Sequence, residues 1–366
     1  MITIKYEQSN LEQSYILVSD NKDMKRENEY LAHKKKMNQS PNTVKRIAHS
    51  LCYYFRFLDS INSTIEDVFD MDYLTQHGHF VDFLHFIKNG NHTTRNKFAK
   101  NVSCNLYLGD VLNYYKFLFL QYDNFHKLKV LRDSTMTVTT SVGITKKISG
   151  ISFKGYLEND KTQGDSISED YLYKLINSCT NIRDKLLIMM IADTGFRIGE
   201  ILGIDYTSDI DYKKRTVRVV PRDKNQNYAR AKYREARTGY LSNTTFQMLI
   251  TYLCEYRTLL DQTTHLFIIL KGEFVGQPMK VSSVYSFFKR LEKKTGIKTH
   301  PHAIRHYFAT ERWKSGWDIL LISNALGHKS INTTINYLNI GSEELRMASE
   351  EYYENNEVIN YIDSLI

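Results

Sequence analysis

The chain has 366 residues, of which 42% are hydrophobic and 25% are charged, so its composition excludes a fibrous or largely disordered protein and allows two globular domains. Its 49 Lys and Arg residues outnumber its 41 Asp and Glu residues, and the net charge of +8 favours a polyanionic partner without proving one. The four widely spaced cysteines exclude a disulfide scaffold, and the longest apolar runs are too short to span a membrane, which predicts a soluble, cytoplasmic protein.

The first third of the chain shows helical patterns after a short N-terminal extension. Residues 1–24 contain two segments of alternating apolar and polar residues, ITIKY and YILVSD, which could pair as a small hairpin. The region 25–135 is predicted to be a helical bundle, because apolar residues recur there at helical spacing. Its clearest predicted helices cover residues 40–60, 72–88 and 93–120. The first of these opens with Ser40 and Pro41, which are typical helix-start residues.

The second half of the chain follows a stretch that we interpret as a linker. Residues 133–165 lose helical periodicity and are rich in Ser, Thr and Gly, so a linker is predicted at 136–165. The region 166–340 is mostly helical, with strand-like runs at 215–220 and 237–242 that flank a basic turn. The predicted fold class is therefore mainly α, with an N-terminal helical bundle and a mixed, mostly helical second domain that carries a small antiparallel sheet.

The segment HPHAIRHYFAT gathers basic side chains on one face of a predicted helix. Pro301 suits the first helical turn, and His302, Arg305 and His306 then fall at i, i+3 and i+4. Three basic groups without a neighbouring acid indicate an anion supplied from outside the protein. A zinc site would also use a histidine pair, but in that pattern a Glu follows the first His. Here the cation of Arg305 lies between the two histidines, so we predict no metal.

Two further segments allow a structural and a functional interpretation. In DTGFRIGEILGI, Arg197 could form a helix-surface ion pair with Glu200, or a turn at Gly195 could present it into a cleft. The segment PRDKNQNYARAKYREAR (221–237) is strongly basic. It predicts either a solvated hairpin or a basic ribbon that reaches into a DNA groove.

Four motifs in a fixed order resemble those of one enzyme family. The series TGFRIGE, HAIRHYFAT, LGHKS and TTINY, with nine residues from His328 to Tyr337, resembles the tyrosine recombinase (phage integrase) family across most of residues 165–340. The segment SPNTVKRIAHSLCYYFRFL is similar to the family's N-terminal helical domain, which binds the core DNA site. Within the family, VPRDKNQNYARAK followed by ARTGYLS resembles the transposase A type that certain tripartite site-specific transposons carry.

The resemblance implies a role for individual residues. It implies six catalytic residues, which are Arg197, Lys232, His302, Arg305, His328 and the nucleophile Tyr337. In the family the two arginines clamp the scissile phosphate, the two histidines support them, and the hairpin lysine protonates the departing 5′-oxygen. Glu200 and His306 match supporting positions. Neither a metal nor another cofactor is implied.

The implied function is site-specific DNA recombination through a 3′-phosphotyrosyl intermediate, in transposition or integration of a mobile element. The alternatives are resolution of chromosome or plasmid dimers, a type IB topoisomerase-like activity, or DNA binding alone. The predicted partners are double-stranded DNA, further copies of the chain (dimer to tetramer) and, as further candidates, accessory recombinases. We predict DNA contacts at Asn42, Thr43, Lys45, Arg46, His49, Thr94, Arg95, Lys97, Arg230 and Arg234. The acidic tail at 341–366 either packs on its own protomer or docks on a neighbouring one.

Overall fold

The computed structural model describes residues 2–9, 12–19, 24–94, 97–139, 145–160, 166–222, 225–231, 235–338 and 350. Within these ranges the chain is mainly helical and carries three small antiparallel sheets, which confirms the predicted fold class. It divides into two compact units, Met1–Lys161 and Thr162–Ile366. None of the helices in the described ranges is long and apolar enough to cross a membrane.

The first unit combines a hairpin with a helical bundle. Strands β1 (Thr3–Ser9) and β2 (Glu12–Val18) pair antiparallel. The helices that follow are α1 (Lys25–Lys36), α2 (Pro41–Ser60), α3 (Ile65–Asp70), α4 (Tyr73–Lys88) and α5 (Asn101–Gln121). Helix α2 begins as the sequence predicts, because the Ser40 hydroxyl accepts the N–H of Thr43 and Pro41 occupies the first turn. Buried aromatic rings from α2, α4 and α5 form much of the core.

Helix α5 begins at Asn101, eight residues later than the predicted start at residue 93. The Asn101 backbone N–H donates to the carboxylate of Asp160 at 2.8 Å, and the Asn101 side chain donates to the carbonyl of Glu158. A carboxylate near a helix N-terminus satisfies a backbone donor that has no partner within the helix. The start of α5 is therefore set by a contact with chain 59 residues away, which local sequence patterns do not reveal.

A second hairpin lies partly inside the stretch that the sequence predicts as a linker. Strands β3 (Asp133–Thr139) and β4 (Thr145–Ile151) pair antiparallel in the described residues. The Thr, Val and Ile residues of this stretch favour strands, whereas its Ser, Thr and Gly content had indicated a linker. Beyond the hairpin, Phe153 is 1% exposed and belongs to the core of the first unit.

The second unit places a three-stranded sheet among helices. Its helices are α6 (Glu169–Ser178), α7 (Ile182–Thr194), α8 (Ile198–Ile201), α9 (Asn243–Glu255), α10 (Arg257–Leu260), α11 (Val281–Thr295), α12 (Pro301–Lys314), α13 (Ile319–Leu326) and α14 (Ile331–Leu338). The antiparallel sheet has the order β5 (Ile210–Asp211), β6 (Thr216–Val219), β7 (Arg237–Tyr240). Helix α7 carries the run LLIMMIA and is buried against α9 and α12. Its C-terminal end leads directly into the segment that contains Arg197.

Candidate active site

Helix α7 ends at a glycine that turns the chain towards Arg197. Gly195 has a left-handed backbone conformation, with φ of 62°. A Cβ atom at this position would lie 2.5 Å from the ring of Phe308 on α12, so the turn requires glycine for both its conformation and its packing. Arg197 follows two residues later, directly before α8, and its side chain is 20% exposed.

Glu200 accepts hydrogen bonds from both the backbone and the side chain of Arg197. The backbone N–H of Arg197 donates to Glu200 Oε2 at 2.6 Å, and Arg197 Nη1 donates to Oε1 at 3.2 Å. Burial raises the pKa of Glu200, but hydrogen bonding and charge from Arg237, with a further contribution from Arg197, outweigh it and hold that pKa below its usual value. The ion pair and the turn that the sequence offered as alternatives for Arg197 therefore occur together.

Arg305 lies on α12 and is the most deeply buried cation of the site. His300 precedes the helix and Pro301 is its first residue, as predicted for this segment. The Arg305 side chain is 1% exposed, and its Nη1 donates to the carbonyl of Gly195 at 2.7 Å. Its Nη2 donates to the carbonyl of Leu326 at 2.7 Å. Arg305 thereby joins the turn before Arg197 to the end of α13.

The two guanidinium groups and His328 meet at the end of α13. Arg197 Nη1 donates to the carbonyl of Leu326 at 3.4 Å, the same oxygen that accepts from Arg305. His328 Nε2 lies 3.0 Å from Arg305 Nη2. Because a guanidinium only donates, we assign Nε2 as the acceptor and place the imidazole proton on Nδ1. That nitrogen lies 2.9 Å from the hydroxyl of Thr334, which is fully buried on α14.

The same contact anchors the helix that carries the predicted nucleophile. The backbone of Tyr337 belongs to α14, three residues after Thr334. Leu338 of this helix is 8% exposed and packs in a small core with Phe308 and Leu326. The side chain of Tyr337 lies outside what the structure describes.

The described residues beside the predicted hairpin lysine lie against the site. Lys232 and Arg234 are outside the described residues. A Cβ atom at Gly199 would lie 2.9 Å from the carbonyl oxygen of Arg230, so the hairpin backbone approaches α8 more closely than any side chain would allow. On the other side of the undescribed segment, Arg237 begins β7 and contacts Glu200.

Arg237 is a site residue that sequence reasoning missed. It appeared as one of several cations in the basic segment, and no role was predicted for it. A signal was nevertheless present in the sequence, because alternation along the predicted strand 237–242 puts Arg237 on the same face as the apolar residue Leu241. An arginine that faces inward beside a buried position needs an acidic or carbonyl partner. In the structure Glu200 and the carbonyl of Ala325 supply those partners.

Burial, together with the nearby cations, lowers the pKa of two histidines of the site. Burial, followed by the charges of nearby basic groups including Arg305, lowers the pKa of His302 to about 4. Burial and the charges of Arg305, Arg197 and Arg237 lower the pKa of His328 to about 3. The His302 ring makes an edge contact with that of His306, with ring centroids 4.8 Å apart. A bound anion would oppose these shifts, so both imidazoles are suited to proton transfer beside a phosphate.

These pKa values predict that acid destabilises the second unit. In the unfolded chain both histidines take up protons near pH 6.5, whereas in the folded chain they resist protonation down to about pH 4. The free energy of unfolding should therefore be largest above pH 6.5 and should fall as the pH decreases. Thermal unfolding of the His302→Asn/His328→Asn double variant should show a smaller decrease in midpoint between pH 7 and 4.5 than the wild type. Parallel pH curves for the two proteins would contradict this.

The close approach at Gly199 gives a second prediction. Alanine at this position would displace the hairpin backbone at Arg230, and such overpacking costs about 1–3 kcal/mol. We expect Gly199→Ala to lower both the midpoint of thermal unfolding and the rate of the DNA strand cleavage that the family resemblance implies. Gly109→Ala is the control for thermal stability, because Gly109 lies within helix α5 and a Cβ atom there meets nothing within 4 Å. Equal activity of Gly199→Ala and wild type would show that the hairpin need not lie this close.

The predicted DNA contacts of the first unit fall into two environments. Asn42 and Lys45 are exposed on α2, whereas Thr43, Arg46 and His49 are half-buried. Arg46 forms two 2.9 Å hydrogen bonds with the buried carboxylate of Asp110 on α5, so its charge is paired within the unit. The second group precedes α5 rather than lying on it. In that group Thr94 and Lys97 are exposed, and Arg95 is outside the described residues.

Comparison with known proteins identifies the family of the second unit. Residues 166–344 match the phage integrase family. Over 339 residues the chain is 26% identical to transposase A from transposon Tn554 of Staphylococcus aureus, an alignment that covers 87% of this chain and 88% of that relative. It is 30% identical over 181 residues to the tyrosine recombinase XerA of Saccharolobus solfataricus, which covers 50% of this chain and 54% of that relative.

Solved structures show the same fold. The XerH site-specific recombinase in a post-cleavage complex with a palindromic difH substrate has a TM-score of 0.60 and 18% identity, and the match covers 91% of this chain and 86% of that chain. The Tn1549 transposon integrase in complex with transposon right end DNA has a TM-score of 0.60 and 16% identity, with coverage of 88% and 98%. The domain that residues 166–344 form is therefore a phage integrase family domain, the family that the four sequence motifs resemble.

Proposed function

We propose that the chain is a site-specific DNA recombinase that breaks and rejoins DNA through a 3′-phosphotyrosyl intermediate. The observation that carries this proposal is that Arg197 and Arg305 both donate to the carbonyl of Leu326 while His328 contacts Arg305. These groups lie beside α14, whose backbone includes Tyr337. Residues more than 100 positions apart in the chain thus form one cationic site next to a tyrosine-bearing helix.

The chemistry of phosphodiester cleavage suits these groups. A guanidinium remains charged and can bind two phosphate oxygens, so two of them stabilise the additional charge of a pentacoordinate transition state. The phenol of Tyr337 is a weak nucleophile because its ordinary pKa is about 10. We propose that the cations favour its phenolate, and that His302 and His328 handle protons at the phosphate.

In the proposed step the Tyr337 phenol gives its proton to one of the two site histidines, His302 or His328, and its oxygen forms a bond to phosphorus while the bond from phosphorus to the 5′-oxygen breaks. We assign the proton that the leaving oxygen receives to Lys232, since the hairpin backbone at Arg230 lies against α8. The free 5′-hydroxyl of a second strand then attacks the phosphotyrosine and restores the phenol. The energy of the phosphodiester bond is conserved throughout, so the reaction needs no ATP.

Covalent trapping tests this proposal. The full chain is incubated with a duplex that carries a nick near the cleavage site, so that the short 5′-hydroxyl fragment diffuses away. We expect a denaturant-resistant adduct on the strand with the 3′-phosphate and not on the strand with the 5′-end. Binding without an adduct would indicate a DNA-binding protein, and relaxation of supercoils without joining of two sites would indicate a topoisomerase.

We propose that the substrate is double-stranded DNA and that the role is transposition or integration of a mobile element. The similarity to a transposon transposase over most of both chains supports this role. Two proteins with the same fold were captured on DNA, which supports DNA binding by both units here, with Asn42 and Lys45 as exposed candidates in the first. Assembly of two to four copies on DNA, with or without accessory recombinases, follows from the need to exchange strands between sites.

The acidic tail at 341–366 lies outside the described residues apart from Glu350. It combines carboxylates with Leu345, Tyr352 and Ile362, so it suits a protein surface better than DNA. We expect deletion of 342–366 to weaken the joining of two DNA sites while leaving the binding of a single site unchanged. Gel-shift and recombination assays with the truncated chain measure both effects. Unchanged recombination would exclude docking on a neighbouring protomer.

A further inference from the structure

We propose that Arg237 is a positioning residue of the cleavage reaction, which acts by neutralising Glu200 so that Arg197 keeps its full charge for the phosphate. This inference rests on the proposed recombinase function. Arg237 follows the predicted hairpin lysine by five positions, and we assign it no direct contact with DNA.

The guanidinium of Arg237 makes more hydrogen bonds with Glu200 than that of Arg197 does. Its Nη1 donates to Glu200 Oε1 at 3.0 Å, and its Nη2 forms a short contact with Oε2, so the pair is bidentate. Arg197 reaches the same carboxylate through a single guanidinium contact of 3.2 Å. The side chains of Glu200 and Arg237 are 1% and 11% exposed, so water screens their attraction little.

Arg237 and Arg197 share the carboxylate of Glu200, so the attraction between that carboxylate and one guanidinium depends on the charge of the other. The described contacts join one carboxylate, Glu200, to two guanidinium groups, those of Arg237 and Arg197. If Arg237 were neutral, the buried carboxylate would have Arg197 as its one described cationic partner. The guanidinium of Arg197 would then turn towards Glu200, and its effective charge at the phosphate would fall.

Arg237 also fixes the loop that Arg197 contacts. Its Nε donates to the carbonyl of Ala325 at 3.0 Å, and its guanidinium lies 4.8 Å from the centre of the Phe196 ring. Gly327 packs directly on it, since a Cβ atom there would lie 2.8 Å from Arg237 Nη1. The adjacent carbonyl of Leu326 accepts from Arg197. The Arg237 side chain therefore fixes the position of two groups that contact Arg197, the carboxylate of Glu200 and the carbonyl of Leu326.

A neutral substrate distinguishes positioning of charge from a merely structural role. The rate of strand cleavage is measured on a nicked duplex with an ordinary scissile phosphate and on one with a methylphosphonate, which lacks one negative charge. We expect Arg237→Gln to slow cleavage of the ordinary phosphate about 100-fold, the effect of losing one stabilising contact in the transition state. Its defect on the methylphosphonate should be much smaller, as it should be for Arg197→Gln.

Three further variants make the test specific. Arg237→Lys retains the charge and should cleave faster than Arg237→Gln, and Glu200→Gln/Arg237→Gln should recover part of the lost rate because the unpaired carboxylate is gone. Arg218→Gln is the control, since Arg218 is exposed on the neighbouring strand β6. An equal loss on both substrates, or no loss, would overturn the inference. Absence of cleavage by the wild type would instead contradict the proposed function.

Discussion

Replacing Tyr337 by phenylalanine is expected to abolish the covalent protein–DNA adduct and recombination while leaving DNA binding unchanged. Phenylalanine keeps the ring and the helix propensity of α14 but removes the oxygen that attacks phosphorus. Two other residues of α14 anchor it, since Thr334 is fully buried and Leu338 is 8% exposed, so the helix should remain in place. Denaturing electrophoresis of the trapped adduct measures the loss, and a gel shift measures binding.

The tail supplies matched controls for this experiment. Tyr352→Phe and Tyr353→Phe remove the same atom from tyrosines that follow the motif by 15 and 16 residues. Both variants should form as much adduct as the wild type. An adduct that survives Tyr337→Phe and disappears in one of these two would show that the motif has been aligned to the wrong tyrosine.

Replacing Arg305 by lysine should lower the rate of strand cleavage about 10³-fold, as expected when an arginine that stabilises a phosphoryl transition state is lost. The positive charge is retained, but an ammonium cannot reproduce the planar arrangement of donors. In the structure those donors reach the carbonyls of Gly195 and Leu326 and contact His328. Because Arg305 is 1% exposed, we also expect a lower midpoint of thermal unfolding.

Arg312 on the same helix provides the control. Its guanidinium lies over the rings of Phe308 and Trp317 and outside the group around Leu326. Arg312→Lys should cleave DNA at nearly the wild-type rate. If Arg305→Lys were as active as Arg312→Lys, the buried guanidinium would be a structural group with no part in the chemistry.

Local patterns predicted the parts of the site that depend on neighbouring residues. Ser40 and Pro41 mark the start of α2 because capping involves residues within one turn. The same holds for Pro301 at the start of α12 and for the contact of Arg197 with Glu200 three positions on. The order and spacing of the four motifs then indicated which distant segments belong to one family.

The missed features depend on contacts between distant segments. Arg46 matched a DNA-binding helix face, yet its partner Asp110 is 64 residues away. Arg237 meets Glu200 across 37 residues and Ala325 across 88. The start of α5 depends on Asp160. In each case the partner residue lies on another helix, strand or loop, and local sequence patterns do not show which of these come into contact.

We propose that Arg197 and Arg305 act on the same phosphate, the one that Tyr337 attacks. Arg305 now donates to protein carbonyls, so binding a phosphate requires it to exchange or share those contacts. The decisive measurement is a structure of the full chain trapped covalently on a nicked duplex. We predict both guanidinium groups within hydrogen-bonding distance of oxygens on the phosphate that is bonded to Tyr337. Guanidinium groups on different phosphates, or a phosphate bonded to another tyrosine, would contradict the claim.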